Sequence, residues 1–252
     1  MYQEERLLNI LEYLNKNGSM SVHTICEMFE VSRDTARRDI VELIKQGAAV
    51  RSRGGISLPV LKNTIKNYRE RLEAYSDEKK NIAKRALEFI EEGKHYFFDV
   101  STTVSFLAQY VNKEITVFTH SLDNIEILSQ KKDVHIYSTG GSLNKNNRFF
   151  YSPDCLNYIS GIKFDTAFLG AAAITEEGIF YADEEDAYIK RGVSQNASKV
   201  IILADLEKFN KVSYFKGLNW DEVDMFITDT MPTDKFIRIM EEKGIQLVTI
   251  DK

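Results

Sequence analysis

The sequence predicts an α/β protein in which a small helical head precedes a larger body of alternating strands and helices. Apolar residues recur at helical spacing in three stretches before residue 47, and a short hairpin pattern follows them. From His95 onward, seven apolar runs alternate with amphipathic segments. A length of 252 residues allows one large domain or two ordinary ones, since domains usually have about 100–200 residues.

The first two predicted helices belong to the head. The first runs from Glu4 to Lys16, Gly18 ends it, and its apolar positions are Leu7, Leu8, Ile10, Leu11 and Leu14. Ser21 is the expected N-cap of the second helix, whose apolar face holds Val22, Ile25, Met28 and Phe29. Each helix therefore has one face suited to a small core.

The third predicted helix carries the densest positive charge of the head. Ser32 caps this helix, which runs from Arg33 to Gln46 and is ended by Gly47. Its expected buried face consists of Ala36, Ile40, Leu43 and Ile44. Its outer face carries Arg33, Asp34, Thr35, Arg37 and Arg38.

Two helices joined by the turn Glu30-Val31-Ser32 are typical of a helix-turn-helix, whose second helix lies in the major groove of DNA. The following segment AAVRSRGGIS predicts a hairpin with arginines near its tip, which is typical of a wing that binds backbone phosphates. We therefore predict a winged helix-turn-helix over residues 3–58. Its candidate DNA-binding residues are Ser32, Arg33, Thr35, Arg37, Arg38, Arg51 and Arg53.

The net charge of the whole chain does not reveal the positive charge of the third helix and the hairpin. The net charge of −5 gives no global sign of nucleic-acid binding, yet residues 31–58 hold six basic and three acidic residues. Most of these basic residues are arginines, whose planar fork matches phosphate oxygens and the guanine edge. The simpler alternative is a solvated helix face, which explains most charge clusters.

The body begins after a predicted linker at residues 59–76, which is partly helical at 65–74, and occupies residues 77–252. A helix from Asp77 to Glu92, ended by Gly93, opens it. Strands are predicted at 96–100, 115–119, 134–138, 164–170, 200–205, 225–229 and 247–250, with helices at 103–112, 123–130, 184–198 and 233–243. Because several strands are apolar almost throughout, we expect a mainly parallel sheet that is buried on both faces.

Ligands of such folds bind beyond the carboxyl ends of the strands, where this sequence places small polar and charged residues. Hydroxyl and N–H groups after the first strand, beside the positive end of the next helix, predict an anion site. The alternative is that Ser101 or Thr102 only caps that helix. The candidate ligand-binding residues at the strand ends are Asp99, Ser101, Thr102, Thr103, His120, Ser121, Gly140, Gly141, Asp205 and Lys208.

Spacing alone gives a simpler interpretation of Asp186 and Lys190. They stand four residues apart on a predicted helix, which is typical of a surface salt bridge.

Several classes of protein are excluded by composition. No run of 18 apolar residues exists, and the charged, amphipathic N-terminus does not have the pattern of a signal peptide. Cys26 and Cys155 lie far apart without metal-ligand spacing, so we expect a reduced, cytoplasmic protein without disulfides. We expect no metal and no cofactor.

The predicted third helix and hairpin together form the stretch VSRDTARRDIVELIKQGAAVRSRGGIS. This stretch resembles the third helix and wing of the DeoR-type bacterial repressors of sugar operons. In the body, the family's D-x-G-T-T falls on Asp99 to Thr103, T-N-S on Thr119 to Ser121 and D-x-S-K-F on Asp205 to Phe209. Further matches are Gly140-Gly141, Asp165 to Gly170, and Asp186 to Arg191.

The resemblance implies a repressor of a carbohydrate operon that binds a double-stranded operator as a homodimer or homotetramer. Its body would be an effector domain similar in fold to ribose-5-phosphate isomerase and glucosamine-6-phosphate deaminase, and a phosphorylated sugar would relieve repression. By the same resemblance, Ser101, Thr102 and Thr103 would bind phosphate, Asp99 and Asp205 sugar hydroxyls, and Lys190 or Lys208 an anion or a carbonyl.

The chain departs from the family pattern at four positions, since Ser101, His120, Asp186 and Glu207 replace glycine, asparagine, glutamate and serine. The side chain of Ser101 narrows the turn where a phosphate would lie, and Glu207 adds negative charge beside Lys208. The alternative function is a sugar-phosphate isomerase or deaminase with an attached DNA-binding domain. Because the resemblance is to the regulatory branch, we predict no catalytic residue.

Overall fold

The computed structural model describes residues 3–17, 19–45, 48–52, 54–57 and 76–250. The chain divides into two compact units, Met1–Ile65 and Lys66–Lys252. The predicted helix ends at Gly18 and Gly47, Arg53 of the wing, and the linker up to residue 75 lie outside the described residues.

The head contains the three helices and the hairpin of the predicted winged helix-turn-helix. The helices are α1 (Gln3–Asn17), α2 (Val22–Phe29) and α3 (Arg33–Lys45). Three short strands, β1 (Ser19–Ser21), β2 (Val50–Ser52) and β3 (Gly55–Ser57), form an antiparallel sheet in the order β1-β3-β2. The sequence did not predict β1, which is too short to have a recognisable period.

Serine caps set the starts of α2 and α3, as predicted. The backbone N–H of Thr24 donates to Ser21 Oγ at 3.0 Å, and that of Thr35 donates to Ser32 Oγ at 3.2 Å. Between the helices, Glu30 takes a left-handed conformation with φ of 52°, which turns the chain sharply. The turn of the helix-turn-helix is therefore fixed by local hydrogen bonds and one unusual backbone angle.

The core of the head differs from the predicted one on all three helices. On α1, Leu8 is 64% exposed. Ile25 is buried on α2, but Met28 is 49% exposed. On α3, Ile44 is only partly buried, whereas Asp39 is fully buried. The remaining core consists of Leu7, Ile10, Leu14, Met20, Ala36, Ile40, Leu43, Ala49 and Ile56.

Asp39 is buried because it pairs with Arg6 of α1. Arg6 Nε lies 2.6 Å from Asp39 Oδ2, and Arg6 Nη2 donates to Asp39 Oδ1 at 3.1 Å. Gln3 Nε2 also donates to Asp39 Oδ1, at 3.1 Å. This bidentate pair joins α1 to the helix that carries the exposed arginines.

The body is built on a seven-stranded sheet in which all neighbouring strands are parallel, as expected. The strands are β4 (His95–Phe98), β5 (Ile115–Thr119), β6 (Val134–Ser138), β9 (Thr166–Leu169), β12 (Val200–Leu203), β14 (Met225–Thr228) and β15 (Gln246–Thr249). Their order in the sheet is β15-β14-β12-β9-β4-β5-β6. All seven predicted strands are present, within a few residues of their predicted bounds.

Both faces of this sheet are buried. Phe97 of β4 and Phe226 of β14 contribute to one apolar cluster, while Phe98 and Ile227 on the same strands contribute to another. Because alternate residues of a strand point to opposite faces, each cluster covers one side of the sheet. The layers are completed by α4 (Ser76–Ala86), α5 (Thr102–Tyr110), α6 (Leu122–Leu128), α7 (Cys155–Ser160), α8 (Glu184–Asn196) and α9 (Asp234–Glu242).

The helix predicted from Asp77 to Glu92 is shorter than expected. It ends as α4 at Ala86, and a 3₁₀ turn at Leu87–Phe89 follows. The hydroxyl of Tyr96 donates to the Glu91 carbonyl at 3.2 Å and accepts the Glu91 N–H at 2.7 Å. These bonds to β4 hold residue 91 outside the helix.

The sequence did not predict several short elements of the body. These are α7, the hairpin of β7 (Ser142–Asn144) and β8 (Phe149–Tyr151), and an antiparallel sheet of β10 (Ala173–Thr175), β11 (Gly178–Tyr181) and β13 (Phe215–Leu218). The strands have three or four residues each, which is too few to establish an alternating pattern.

Replacing Asp39 by alanine should destabilise the head strongly. The guanidinium of Arg6 would remain buried without its carboxylate, and removal of one partner of a buried pair costs about 3–5 kcal/mol. The free energy of unfolding of the full chain, from urea titrations followed by circular dichroism, measures this effect. Asp34→Ala is the control, since Asp34 is exposed on the same helix and its loss should change stability by less than about 0.5 kcal/mol. Equal effects of the two substitutions would contradict the structural role of Asp39.

Candidate functional site

The outer face of α3 presents three arginines to solvent. Arg33, Arg37 and Arg38 are exposed, while the opposite face of the helix is buried. Arg37 lies 3.7 Å from Asp34 in an exposed ion pair, which leaves the guanidinium accessible. The face therefore has the charge and the exposure that contact with phosphates or base edges requires.

The other predicted DNA-binding residues have different surroundings. Ser32 is exposed, and its hydroxyl lies 2.9 Å from that of half-buried Thr35, so both belong to the cap of α3. Arg51 is exposed on β2, the first strand of the hairpin.

The body contains a cleft at the carboxyl ends of β4, β9 and β12, where the fold predicts a ligand site. The turn between β4 and α5 forms one wall, and the start of α8 forms another. The residues that line the cleft are Lys79, Val100, Ser101, Thr102, Thr103, Asn147, Gly170, Ala171, Ala172, Tyr181, Ala182, Asp183, Asp186, Lys190, Leu203 and Lys208.

A buried ion cluster lies at the base of this cleft. Lys190 Nζ is 2.8 Å from Asp186 Oδ2 and 3.0 Å from Asp99 Oδ2. His120 Nε2 donates to the other oxygen of Asp186 at 2.9 Å. The ammonium also lies 3.8 Å from the ring centroid of Tyr181. The interpretation of Asp186 and Lys190 as a surface salt bridge, which rested on their spacing alone, was wrong. Both side chains are buried, and Asp99, which is distant in sequence, also pairs with the lysine.

The pairing keeps both ends of the cluster charged. Burial raises the pKa of Asp186, but the charge of Lys190 and the hydrogen bond from His120 outweigh it, so the net pKa is below the usual range. Burial lowers the pKa of Lys190, but the charges of Asp186 and Asp99 raise it above its usual value. The lysine is therefore an ammonium that two carboxylates compensate.

Asp99 organises the turn that begins α5. Its Oδ1 accepts the N–H of Ser101 at 2.7 Å, and its Oδ2 accepts the N–H of Gly170 at 2.7 Å. Ser101 Oγ accepts the N–H of Thr103 at 3.2 Å, so Ser101 is the N-cap of α5. A Cβ added at Gly170 would overlap Ser101 Oγ. The serine hydroxyl thus occupies space that the facing glycine leaves open.

Two of the predicted residues at the end of β5 lie behind the cleft. His120 is fully buried, and its ring stacks on Phe97 with the centroids 5.6 Å apart. Ser121 is also buried and caps α6 by accepting the N–H of Asn124 at 3.2 Å. Neither side chain lines the cleft.

The remaining predictions divide between the wall of the cleft and its surroundings. Thr102, Thr103 and Lys208 line the cleft, as Ser101 and Lys190 do. Asp205 is buried behind it, and its Oδ1 has no hydrogen-bond partner among the described residues. Gly140 and Gly141 form the turn before β7 with φ of 68° and 107°, and they do not line the cleft.

Five polar or aromatic residues of the cleft were not among the predicted ligand-binding residues: Lys79, Asn147, Tyr181, Asp183 and Asp186. A signal existed for Lys79, which stands three residues before Ile82 and so shares the inward face of α4. Asn147 lies in the unpredicted β7–β8 turn, where no periodicity marks it.

The described residues include no group of three or more His, Cys, Asp or Glu side chains that could hold a metal ion. Among the helices in the described part of the chain, none is both long and apolar enough to cross a membrane.

Two family models match the chain. The DeoR C terminal sensor domain matches residues 74–230, and the DeoR-like helix-turn-helix domain matches residues 6–60. The chain belongs to the DeoR family of transcriptional regulators. It is therefore a DNA-binding regulator and not an enzyme, and the isomerase or deaminase alternative was wrong.

Relatives of this DeoR-family regulator are similar along their whole length. The HTH-type transcriptional repressor GlcR of Bacillus subtilis (strain 168) is 38% identical, covering 100% of this chain and 98% of the relative. The HTH-type transcriptional regulator GlpR of Haloferax volcanii is 31% identical, with 98% of each chain covered. The glycerol-3-phosphate regulon repressor of Escherichia coli (strain K12) is 28% identical, covering 98% of this chain and 99% of the relative.

Solved structures match the DeoR-family chain less extensively. Ribose 5-phosphate isomerase A from Neisseria gonorrhoeae matches 54% of each chain with a TM-score of 0.39 and 21% sequence identity.

Replacing Lys190 by methionine should remove most of the stability that the cluster contributes at neutral and higher pH. In the native chain, the lowered pKa of Asp186 contributes stability above about pH 4 that is lost as the pH falls below it. Without the ammonium, only His120 opposes the effect of burial, so the pKa of Asp186 should rise and the ionised carboxylate should destabilise the fold most at high pH. We expect a loss of about 3–5 kcal/mol at pH 8 and a smaller loss at pH 5.

Urea unfolding at the two pH values measures this change. Lys235→Met is the control, because Lys235 forms an exposed ion pair with Glu176 and its loss should have little effect at either pH. A Lys190→Met chain that is equally stable at both pH values would contradict the proposed charge state.

Proposed function

We propose that this regulator represses a carbohydrate-metabolism operon and that a phosphorylated sugar, bound in the cleft of the body, relieves repression. The observation that supports the ligand class most directly is the composition of the cleft wall. It combines lysine side chains with the hydroxyl-bearing N-terminal turn of α5, and both features favour a phosphate. The names of relatives agree with this class, since one of them represses a glycerol-3-phosphate regulon.

In this proposal, Thr102 binds the phosphate with its hydroxyl and N–H groups and Thr103 with its hydroxyl, since the N–H of Thr103 already donates to Ser101 Oγ. Lys208 supplies a cation. Lys190 takes a different role from the one that the family resemblance implied. Two carboxylates already compensate its charge, so it positions the turn at Asp99 instead of neutralising the ligand. Asp99 likewise positions Ser101 and Gly170.

The head would bind DNA through the outer face of α3. Arg33, Arg37 and Arg38 would contact base edges and phosphates in the major groove, with Thr35 near them at the start of the helix. Arg51 and Arg53 of the wing would bind the backbone. Two heads from a homodimer would read half-sites about 34 Å apart on a palindromic operator.

Ligand and DNA must be coupled through the arrangement of the two heads. A ligand can weaken DNA binding only if it binds better to the arrangement that fits the operator poorly. The operator should reciprocally weaken ligand binding by the same factor.

Replacing Arg37 by alanine should reduce operator affinity by about fivefold or more, since a bidentate arginine contact contributes about 1–3 kcal/mol. The operator is first selected with the native chain from a pool of random duplexes, and affinity is then measured by fluorescence anisotropy. Lys45→Ala is the matched control, because Lys45 is exposed at the opposite end of the same helix. Unchanged affinity of Arg37→Ala would overturn the assignment of this face.

Ligand binding should raise the thermal stability of the native chain. A ligand at 100 times its Kd stabilises the folded state by about 2.7 kcal/mol. A thermal-shift panel contains glucose 6-phosphate, ribose 5-phosphate, glycerol 3-phosphate, inorganic phosphate and the unphosphorylated sugars. We expect at least one sugar phosphate to shift the transition and the neutral sugars to have no effect.

Lys208→Gln should reduce the shift, whereas Lys216→Gln should not, since Lys216 is exposed and does not line the cleft. If no phosphorylated compound of this class stabilises the native chain, the proposed effector class is wrong. Equal thermal shifts in the two variants would mean that Lys208 does not bind the phosphate.

A further inference from the structure

The cleft has a second polar wall, formed by residues that the phosphate site does not use. Asn147 belongs to the turn between β7 and β8, and Asp183 immediately precedes α8. Both side chains line the cleft. Asn147 Nδ2 donates to Asp183 Oδ2 at 2.8 Å, which links two segments that are 36 residues apart.

The turn holds Asn147 in place independently of this contact. Asn144 Oδ1 accepts the N–H groups of Asn146 and Asn147, each at 3.1 Å. Arg148 has φ of 57°, and its Nε donates to both carboxylate oxygens of Asp123 at 2.9 Å. Asn147 is therefore presented by a turn that is anchored on both of its sides.

Asp183 is anchored as well. Its Oδ1 accepts a hydrogen bond from Asn144 Nδ2 at 3.3 Å, in addition to the bond from Asn147. Two amides from one turn thus converge on one carboxylate at the edge of the cleft. A positioned side chain loses little conformational entropy when a ligand binds, so such a pair is suited to recognition.

We propose that Asn147 and Asp183 recognise hydroxyl groups of the sugar portion of the ligand and so determine which phosphorylated sugar the regulator senses. This inference rests on the proposed function of the cleft. A carboxylate accepts hydrogen bonds from one or two hydroxyl groups, and an amide both donates to and accepts from a hydroxyl. The same carboxylate repels a phosphate, which directs the charged end of the ligand to the wall at Thr102 and Thr103.

The side chains of Asn147 and Asp183 are both half-buried, and a bound ligand would shield them further from water. A ligand with a missing or misplaced hydroxyl would shield them without supplying the hydrogen bond that replaces water. A site built to hydrogen-bond a hydroxyl rejects analogues that lack it much more strongly than an apolar pocket rejects an extra group. The wall formed by Lys208, Thr102 and Thr103 then supplies affinity for any phosphate. Asn147 and Asp183 supply the selectivity among sugars.

The experiment compares the native chain with Asn147→Ala and Asp183→Ala by isothermal titration calorimetry. The ligands are the tightest-binding sugar phosphate of the panel, its singly deoxygenated analogues and inorganic phosphate. We expect each substitution to weaken binding of the sugar phosphate by about 10-fold or more, as for a lost hydrogen bond to a charged or buried group. Neither substitution should weaken binding of inorganic phosphate by more than about twofold.

Deoxygenated ligands separate recognition from a structural effect. Removing the recognised hydroxyl from the ligand should weaken its binding to the native chain. It should hardly change the affinity of Asn147→Ala, because the ligand change and the substitution remove the same hydrogen bond. Asn146→Ala is the control in the same turn, because Asn146 is exposed and does not line the cleft.

Three results would overturn the inference. Native-like affinity of both variants for the sugar phosphate would exclude the pair from recognition. An equal loss of affinity for inorganic phosphate would mean that the substitutions disturb the whole cleft. Additive losses from the deoxygenated ligand and the variant would mean that the hydroxyl contacts another residue. If the native chain binds no sugar phosphate, the proposed function itself fails, and the pair has no sugar to recognise.

Discussion

The buried ion cluster of Lys190, Asp99 and Asp186 is the constraint on which the cleft depends. Taking one of these ions out of water alone would cost several kcal/mol, so the ammonium and the carboxylates can occupy the interior only together. Asp99 also binds the backbone after β9, and Asp186 binds His120 at the end of β5. One lysine on α8 thereby holds together the carboxyl ends of three strands, β4, β5 and β9.

This cluster limits what the other residues of the cleft can do. It contains one ammonium and two carboxylates, so an anionic ligand must be balanced by groups outside it. Ser101 replaces the family's glycine without obstructing its turn, because its hydroxyl caps α5 and lies against Gly170. The serine hydroxyl is used by this cap, so in the proposed site the phosphate would depend on Thr102 and Thr103.

Sequence patterns predicted the parts of the fold that repeat, and missed those that depend on contacts distant in sequence. Seven apolar runs gave the parallel sheet, since strands buried on both faces need no alternation. The spacing of Asp186 and Lys190 was correctly noted, yet it could not reveal Asp99, which stands more than 80 positions earlier. Asn147 was unpredictable for a related reason: its turn is held by Asp123 and Asp183, neither of which is near it in sequence.

The charge of the head also depends on a contact between residues that are distant in sequence. A count of residues 31–58 includes Asp39 as an acidic residue that offsets the arginines. The fold buries this carboxylate against Arg6 on the inner side of α3, where it contributes little to the potential outside. Exposed charges act over a Debye length of about 10 Å at 0.1 M salt, so DNA would respond to the local arginine face and not to the net charge of −5. The outer face of α3 is therefore more positive than its composition indicates.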